Sequence, residues 1–169
     1  MTIEQPSPPA FTVRRATADD VPTLVRLRLA FDLELAGELA PDRAAEHRAE
    51  VEAYLADRVP DGRFLAWVAE AADGARDGAQ LIGMAGMIPL DRPPHPGSRH
   101  RGEGFVFNVY TVPGWRRRGV ARALMEAAIA HARAAGLRRV LLRTSEAGRP
   151  VYRALGFVDP GYYRQLDLD

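Results

Sequence analysis

The chain has 169 residues, of which 47% are hydrophobic and 27% are charged, a balance typical of one globular domain rather than of a disordered or fibrous protein. The sequence contains no cysteine, which excludes disulfides, thiol nucleophiles and cysteine-bound zinc. Its 23 basic and 22 acidic residues leave a formal net charge of +1, so no overall field attracts nucleic acid.

The N-terminal segment 1–9 is rich in proline and predicts a mobile tail ahead of one domain at residues 10–169. The segment lacks the basic and apolar regions of a signal peptide. Elsewhere, no apolar run approaches the ~20 residues that a membrane helix needs. We therefore expect a cytoplasmic protein with no membrane association.

The first third of the sequence predicts one strand and two helices. The strand covers Phe11–Ala16, and hydroxyl and carboxylate side chains then favour a helix that begins near Asp19. Gly37–Pro41 ends this helix, and a second helix is predicted from about Arg43 to Arg58.

The middle of the chain predicts three strands. Phe64–Ala71 and Leu81–Ile88 form a hairpin, and a long loop of proline, glycine and basic residues, Asp91–Gly102, follows them. Phe105–Val112 is the strongest predicted strand, because it is rich in aromatic and β-branched residues.

The last third predicts a long helix at Arg118–Ala135, a strand at Val140–Arg143, a short helix from Gly148 to Leu155 and one or two strands within Phe157–Leu168. The step from Phe105–Val112 across the long helix must join parallel strands. The order β-α-α-β-β-β-α-β-α-β-β therefore predicts a single-domain α+β fold, in which a mixed sheet carries helices on both faces.

The turn between the strongest strand and the long helix predicts an anion site. Arg116–Arg118 supply positive charge, and the small residues Gly119 and Ala121 let an anion approach the unpaired N–H groups of the first helical turn. The phosphate loop of nucleotide hydrolases is excluded because the chain has no lysine, and the dinucleotide fingerprint fails because only Gly114 precedes Gly119. The alternative interpretation is a solvated helix start.

Two segments resemble motifs of the GNAT superfamily of N-acetyltransferases. Val112–Ala121 is similar to the acyl-CoA motif V-x-P-x-x-R-x-x-G-x-[GA], with Pro113 directly after Val112. Tyr152 precedes the pair Gly156-Phe157, as in the second family segment. The resemblance implies a mixed, twisted sheet whose central parallel strands splay apart to admit a pantetheine arm.

The resemblance also implies acetyl-CoA as the acetyl donor, CoA as product and no metal. The backbone N–H groups of Arg117–Arg122 would hold the pyrophosphate, and backbone groups of Tyr110 and Val112 would pair with the pantetheine amides. Ser145 stands where many relatives carry asparagine. The implied cofactor-binding residues are Tyr110, Val112, Arg116, Arg117, Arg118, Gly119, Val120, Ala121, Arg122 and Ser145.

The resemblance assigns Tyr152 as the acid that protonates the leaving thiolate, and a core aromatic is the alternative. Glu103 is the first candidate for the general base, and an exposed loop carboxylate is its alternative. His100 and His131 are further candidates, and a water chain that ends at a backbone carbonyl would leave no base residue.

The acceptor is expected between the two N-terminal helices and the loop after the hairpin. Four acidic residues in this region favour a cationic amine: Asp32, Glu34, Glu38 and Asp42. Three basic loop residues oppose it: Arg92, Arg99 and Arg101. We predict acetyl transfer to a small-molecule amine, with a protein or peptide N-terminus, or a non-catalytic acyl-CoA-binding module, as alternatives. No nucleic acid partner is expected, and the family allows a homodimer.

Overall fold

The computed structural model describes residues 10–72, 80–93, 96, 102–161 and 166. In these residues it contains five strands and four α-helices. The strands are β1 (Phe11–Arg15), β2 (Leu65–Ala71), β3 (Leu81–Leu90), β4 (Glu103–Thr111) and β5 (Val140–Leu142). The helices are α1 (Val21–Ala36), α2 (Pro41–Arg58), α3 (Val120–Ala134) and α4 (Arg149–Ala154).

The five strands form one sheet in the order β1-β2-β3-β4-β5. The first three pairs are antiparallel, and β4 pairs with β5 in parallel. A right-handed crossover through α3 is the usual way to join such a parallel pair. The predicted mixed α+β sheet is therefore confirmed.

Helices cover both faces of this sheet, which is why β2 and most of β3 are buried on both sides. On one face, Leu24 and Leu27 of α1 and Leu55 of α2 pack against the sheet. On the other face, Leu124 and Met125 of α3 are fully buried. Burial of these apolar side chains is the main force that holds the helices in place.

Two helix starts differ from the sequence prediction for local reasons. Helix α2 begins at Pro41, because proline has no N–H to leave unpaired and suits the first helical position. Helix α3 begins at Val120 rather than Arg118, because Arg117 has φ +58° and Gly119 has φ +84°. Residues with left-handed φ cannot continue a right-handed helix, so Arg116–Gly119 form a turn.

The strands predicted within Phe157–Leu168 are not found at residues 157–161, which form no regular structure. The remainder of that prediction lies outside the described residues, apart from Leu166, which is not in a strand. The predicted tail at residues 1–9 and most of the loop Asp91–Gly102, with His100, Arg99 and Arg101, also lie outside them. None of the described helices has the length and apolar character to cross a bilayer.

Thr111 carries a buried hydroxyl with no hydrogen-bond partner among the described residues. Thr111 lies opposite Gly83 of β3, so its side chain points to the face of the sheet on which a Cβ at Gly83 would lie. Helix α3 covers that face, since such a Cβ would touch Val120 and Leu124. Thr111→Val keeps the shape and removes the unpaired group, so the free energy of unfolding should rise by about 1 kcal/mol. The melting temperature should then rise by roughly 2–4 °C in calorimetry. Thr111→Ser, which keeps the hydroxyl and loses the methyl, should not stabilise; a loss with valine would contradict the prediction.

Candidate active site

Strand β4 is paired with the parallel strand β5 over only part of its length, because β5 has three residues. Strand β5 contacts Gly104, Phe105 and Val106, and residues 107–111 of β4 have no strand partner on that side within the described part of the chain. A bulge lies in this stretch, where Asn108 and Val109 together oppose Ala85 of β3. Asn108 has φ +56°, and the bulge breaks the regular ladder there. The sheet therefore has an open edge with available backbone groups.

The pairing of β3 with β4 shows which backbone groups of β4 face the open edge. The Val112 N–H donates to the Ile82 carbonyl at 2.9 Å, and the Val112 carbonyl accepts from the Trp115 N–H at 2.9 Å. Successive residues of a strand direct their backbone groups to opposite edges, so Tyr110 also faces β3 and Thr111 faces the open edge. The predicted pairing of Tyr110 and Val112 with the pantetheine amides stays a prediction, and the residue whose backbone groups face the open edge is Thr111.

The start of α3 offers six backbone N–H groups without a partner among the described residues, those of Arg117–Arg122. The first bond within the helix is the one from the Ala123 N–H to the Gly119 carbonyl, at 2.9 Å. A Cβ added at Gly119 would meet no atom within 4 Å, so the space beside these donors is open. The helix dipole adds positive potential at this end, and a pyrophosphate group fits such a cradle.

The arginine side chains of this segment mostly contact protein groups. Arg116 binds both carboxylate oxygens of Glu34 at 2.6 Å and donates from Nε to the Thr111 carbonyl at 3.0 Å. The guanidinium of Arg118 lies 5.2 Å from the centre of the Trp115 ring. Arg122 pairs with Glu126 at 2.8 Å. The side chain of Val120 is buried, so the groups this segment offers to an anion are chiefly backbone N–H groups.

Glu34 joins α1 to the far end of β4. Its carboxylate accepts a hydrogen bond from the Tyr110 hydroxyl at 3.0 Å in addition to those from Arg116. Burial acts to raise the pKa of Glu34, but the hydrogen bonds from Arg116 and Tyr110 outweigh it and lower that pKa. A carboxylate that is held ionised in this way is a weak proton acceptor.

Tyr152 lies on α4, half-buried against the core that α3 forms, with its ring 5.8 Å from that of Phe157. Burial raises the pKa of Tyr152, so its hydroxyl stays protonated at neutral pH. Ser145 lies in the exposed turn before α4, where its Oγ accepts from the Gly148 N–H at 3.3 Å. The raised pKa and partial burial of Tyr152 are properties that a proton donor requires, and its catalytic role remains a prediction.

Glu103 is at the wrong end of β4 for the predicted role of base. Its nearly buried carboxylate binds Arg92 at 2.8 Å and Arg139 at 3.1 Å. The next residue, Gly104, pairs with Val140 where the sheet is closed, four residues before the bulge at Asn108. Two guanidinium groups contact the Glu103 carboxylate, so Glu103 lies in an ion-pair cluster and not at the open edge.

Replacing Glu103 with glutamine should thus lower stability and leave catalysis unchanged. The amide removes the negative charge that both arginines contact, so the free energy of unfolding should fall by about 2 kcal/mol in urea titrations. The exposed pair of Arg43 and Glu46 provides the control, since Glu46→Gln should change it by less than about 0.5 kcal/mol. A large fall in kcat of folded Glu103→Gln enzyme would contradict this assignment.

The other predicted base and acceptor residues are also engaged. His131 packs its ring 5.5 Å from that of Trp67, and burial, with the charge of Arg15, lowers the pKa of this histidine. Asp32 binds Arg28 at 2.7 Å and His47 at 3.0 Å. The acidic character expected of the acceptor side is thus partly neutralised, although Glu38 and Asp42 remain exposed.

Two residues of the open edge were missed by the sequence analysis, Asn108 and Arg28. Arg28 of α1 donates a hydrogen bond to the side-chain oxygen of Asn108. An asparagine within a run of aromatic and β-branched strand residues was the available signal, because asparagine is depleted in strands and tolerates a left-handed conformation.

Comparison with known proteins agrees with this geometry. The model of the acetyltransferase (GNAT) family matches residues 32–157. The N-alpha-acetyltransferase RimI of Mycobacterium tuberculosis (strain ATCC 25618 / H37Rv) is 30% identical over 138 residues, which cover 74% of this chain and 82% of that protein.

Solved structures share the same fold. A predicted acetyltransferase with acetyl-CoA from Clostridium acetobutylicum superposes with a TM-score of 0.77 and 25% identity, over 94% of this chain and 96% of that one. A GCN5-related N-acetyltransferase from Ralstonia eutropha JMP134 has a TM-score of 0.75 and 24% identity, over 94% and 99%. The matches to the family model and to RimI agree with the open edge of β4 and with the N–H groups at the start of α3 that have no partner among the described residues. The chain belongs to the acetyltransferase (GNAT) family and is an acetyl-CoA-dependent N-acetyltransferase.

Proposed function

We propose that this enzyme transfers the acetyl group of acetyl-CoA to the primary amine of a small-molecule acceptor. The observation that carries the proposal is the open edge of β4, which runs from the bulge at Asn108 to the unpaired N–H groups of Arg117–Arg122. A ligand with an anionic end and an extended amide-bearing arm matches this arrangement.

In this proposal, the backbone donors Arg117–Arg122 bind the pyrophosphate, and the backbone of Thr111 pairs with the pantetheine arm as an added strand would. Ser145 offers a hydroxyl in the turn before α4. When bound, acetyl-CoA supplies an activated acetyl thioester. Open space beside Gly119 supports the fit, as do the six donors that have no partner in the described part of the chain.

The transfer forms a bond between the amine nitrogen and the acetyl carbon and breaks the carbon–sulfur bond. Backbone N–H groups at the bulge stabilise the negative charge that develops on the carbonyl oxygen. Tyr152 donates its proton to the leaving thiolate. Because Asp32, Glu34 and Glu103 are held in ion pairs, we assign the proton lost by the amine to water at the open edge.

A peptide N-terminus is a second candidate acceptor. The observation that favours it is the similarity to RimI, an N-alpha-acetyltransferase, over 74% of this chain. Phe107, which is 40% exposed on β4 next to the bulge, offers an apolar surface to the first side chain of a peptide or to the apolar part of a small amine. The two candidates therefore need a direct comparison.

The first experiment is a thermal melt with acetyl-CoA, CoA, NAD and ATP. A ligand at a hundredfold its dissociation constant adds ~2.7 kcal/mol, which is roughly 5–10 °C for a chain of this size. We expect that shift with acetyl-CoA and CoA and not with NAD or ATP. An absent shift with acetyl-CoA in a folded sample would contradict the proposed binding mode.

The second experiment measures thiol release with a panel of acceptors. The panel contains a linear diamine, an amino sugar, an amino acid amide and a short peptide with a free N-terminus, and the N-acetylated form of the same peptide is the matched control. Faster turnover of a small amine supports the proposal. Turnover of the free peptide alone would replace it with N-terminal acetylation.

A further inference from the structure

Asn108 has a strained backbone conformation and lies at the bulge of β4. Its φ of +56° is in the left-handed region, which only Asn108 and Arg117 occupy among the described residues other than glycine. Asparagine tolerates this region better than most residues but does not prefer it to the extended one. Because Asn108 is the bulge residue, its φ decides where the neighbouring backbone N–H groups point.

A series of polar contacts begins on α2, passes through α1 and ends on the Asn108 side chain. Arg28 of α1 donates through Nη1 to the Asn108 carbonyl oxygen Oδ1. The other terminal nitrogen, Nη2, binds Asp32 at 2.7 Å, and Asp32 in turn binds Nε2 of His47 on α2 at 3.0 Å. The Arg28 guanidinium also lies 5.6 Å from the centre of the Phe31 ring.

These contacts leave Arg28 little freedom. The side chains of Arg28, Asp32 and His47 are 29%, 19% and 24% exposed, so the contacts are shielded in part from water and salt. The contacts with Asp32 and Phe31 hold the Arg28 guanidinium in position. The hydrogen bond that this group donates to Asn108 can therefore restrain the bulge.

We propose that Arg28 is a positioning residue: it holds Asn108 in the left-handed conformation and so directs the N–H groups of the bulge toward the acetyl carbonyl oxygen. The inference rests on the proposed function, in which these N–H groups stabilise that oxygen. Arg28 does not touch the acetyl group and acts through Asn108. The acceptor-side helices α1 and α2 thereby set the geometry of the acetyl site.

The test is a double-mutant cycle with Arg28→Met and Asn108→Gly. Methionine keeps the bulk of the side chain and removes its donors, and glycine adopts a positive φ without help from a neighbour. Arg26→Met is the matched control on the same helix, because the Arg26 guanidinium contacts a carbonyl of β3, that of Leu81, and not β4. Melting temperatures verify that each variant is folded.

Two quantities are measured for each variant. The first is kcat with the amine that wild-type enzyme acetylates best. The second is the ratio of the dissociation constants of CoA and acetyl-CoA from calorimetry, which needs no acceptor and reports the contact with the acetyl group. A merely structural role of Arg28 would lower the melting temperature but would leave both quantities of the folded enzyme unchanged.

We expect Arg28→Met to lower kcat about tenfold and to abolish the preference for acetyl-CoA over CoA, with little change in the affinity for CoA. Asn108→Gly should lower kcat less than about threefold, and Arg28→Met should have no further effect in that background, because nothing remains for Arg28 to hold. Arg26→Met should match the wild type.

Unchanged kcat and affinity ratio in Arg28→Met would overturn the proposal, as would an equal loss in the Asn108→Gly background. Equal wild-type affinity for CoA and acetyl-CoA would also overturn it. If wild-type enzyme acetylates no small amine, the small-molecule proposal fails, whereas the affinity ratio still decides the role of Arg28.

Discussion

Replacement of Tyr152 with phenylalanine is expected to lower kcat by about 100-fold or more, while the dissociation constant of acetyl-CoA changes less than about threefold. A positioned acid that protonates a leaving group contributes typically ~10²–10⁴ in rate. Phenylalanine keeps the ring and its edge-on contact with Phe157, so the packing of α4 survives. Turnover is measured by thiol release, and affinity by calorimetry.

Burial of Tyr152 fixes the sign of the pH dependence. Its pKa lies above the ordinary value of 10.0, and the protonated form is the one that the proposed mechanism requires. Wild-type kcat should therefore show no fall at alkaline pH until pH exceeds that ordinary value. An earlier fall that disappears in Tyr152→Phe would contradict the raised pKa.

Tyr54→Phe is the matched control for this substitution. Tyr54 lies on α2, where its ring meets Phe64 edge-on, and phenylalanine preserves that contact. The control should have wild-type kcat. Equal turnover of wild-type enzyme and Tyr152→Phe with a good acceptor would show that Tyr152 is a packing residue only.

Gly119→Ala is expected to weaken acetyl-CoA binding by at least about tenfold. The new Cβ would project into the open space beside these N–H groups, where no atom of the described residues beyond its chain neighbours and its own helix backbone lies within 4 Å. That space is the one that the pyrophosphate would occupy. Calorimetric titration with acetyl-CoA measures the loss.

The strain of an alanine at positive φ must be separated from the loss of binding. Gly119 has φ +84°, and a side chain in the left-handed region costs about 1–2 kcal/mol. Gly136, at the other end of α3, has φ +68° and equally open surroundings. Gly136→Ala should therefore lose similar stability and keep its affinity for acetyl-CoA. Equal affinities in the two variants would remove the pyrophosphate from this turn.

The anion site is the part of the active site that could be predicted from sequence. A strand, a basic turn with Gly119 and an amphipathic helix follow one another in the chain, so the rules that place them are local. The structure moved the helix start by two residues, to Val120, and the N–H groups without a partner among the described residues are the six of Arg117–Arg122 that the prediction named.

The predictions for Glu103 and for the pantetheine contacts share a dependence on tertiary contacts that the sequence does not show. Each depends on the surroundings of a β4 residue. Strands β3 and β5 determine which backbone groups are paired, and arginines from other segments determine which carboxylate is in an ion pair. Sequence position places Glu103 at the start of the key strand but not at the closed end of the sheet. Likewise, the motif match contains Tyr110 and Val112 but does not show that both face β3.

The order of the elements through α4, the mixed sheet and the turn before α3 could be predicted from the sequence, because hydrophobic periodicity, glycine and proline act over a few residues. Which backbone groups of β4 lie at the open edge, and which charged residues form ion pairs near it, depends on contacts between distant segments. Arg28 is 80 residues from Asn108 in the chain, and Arg116 is 82 residues from Glu34. Such pairs form only when the sheet and both N-terminal helices have packed together.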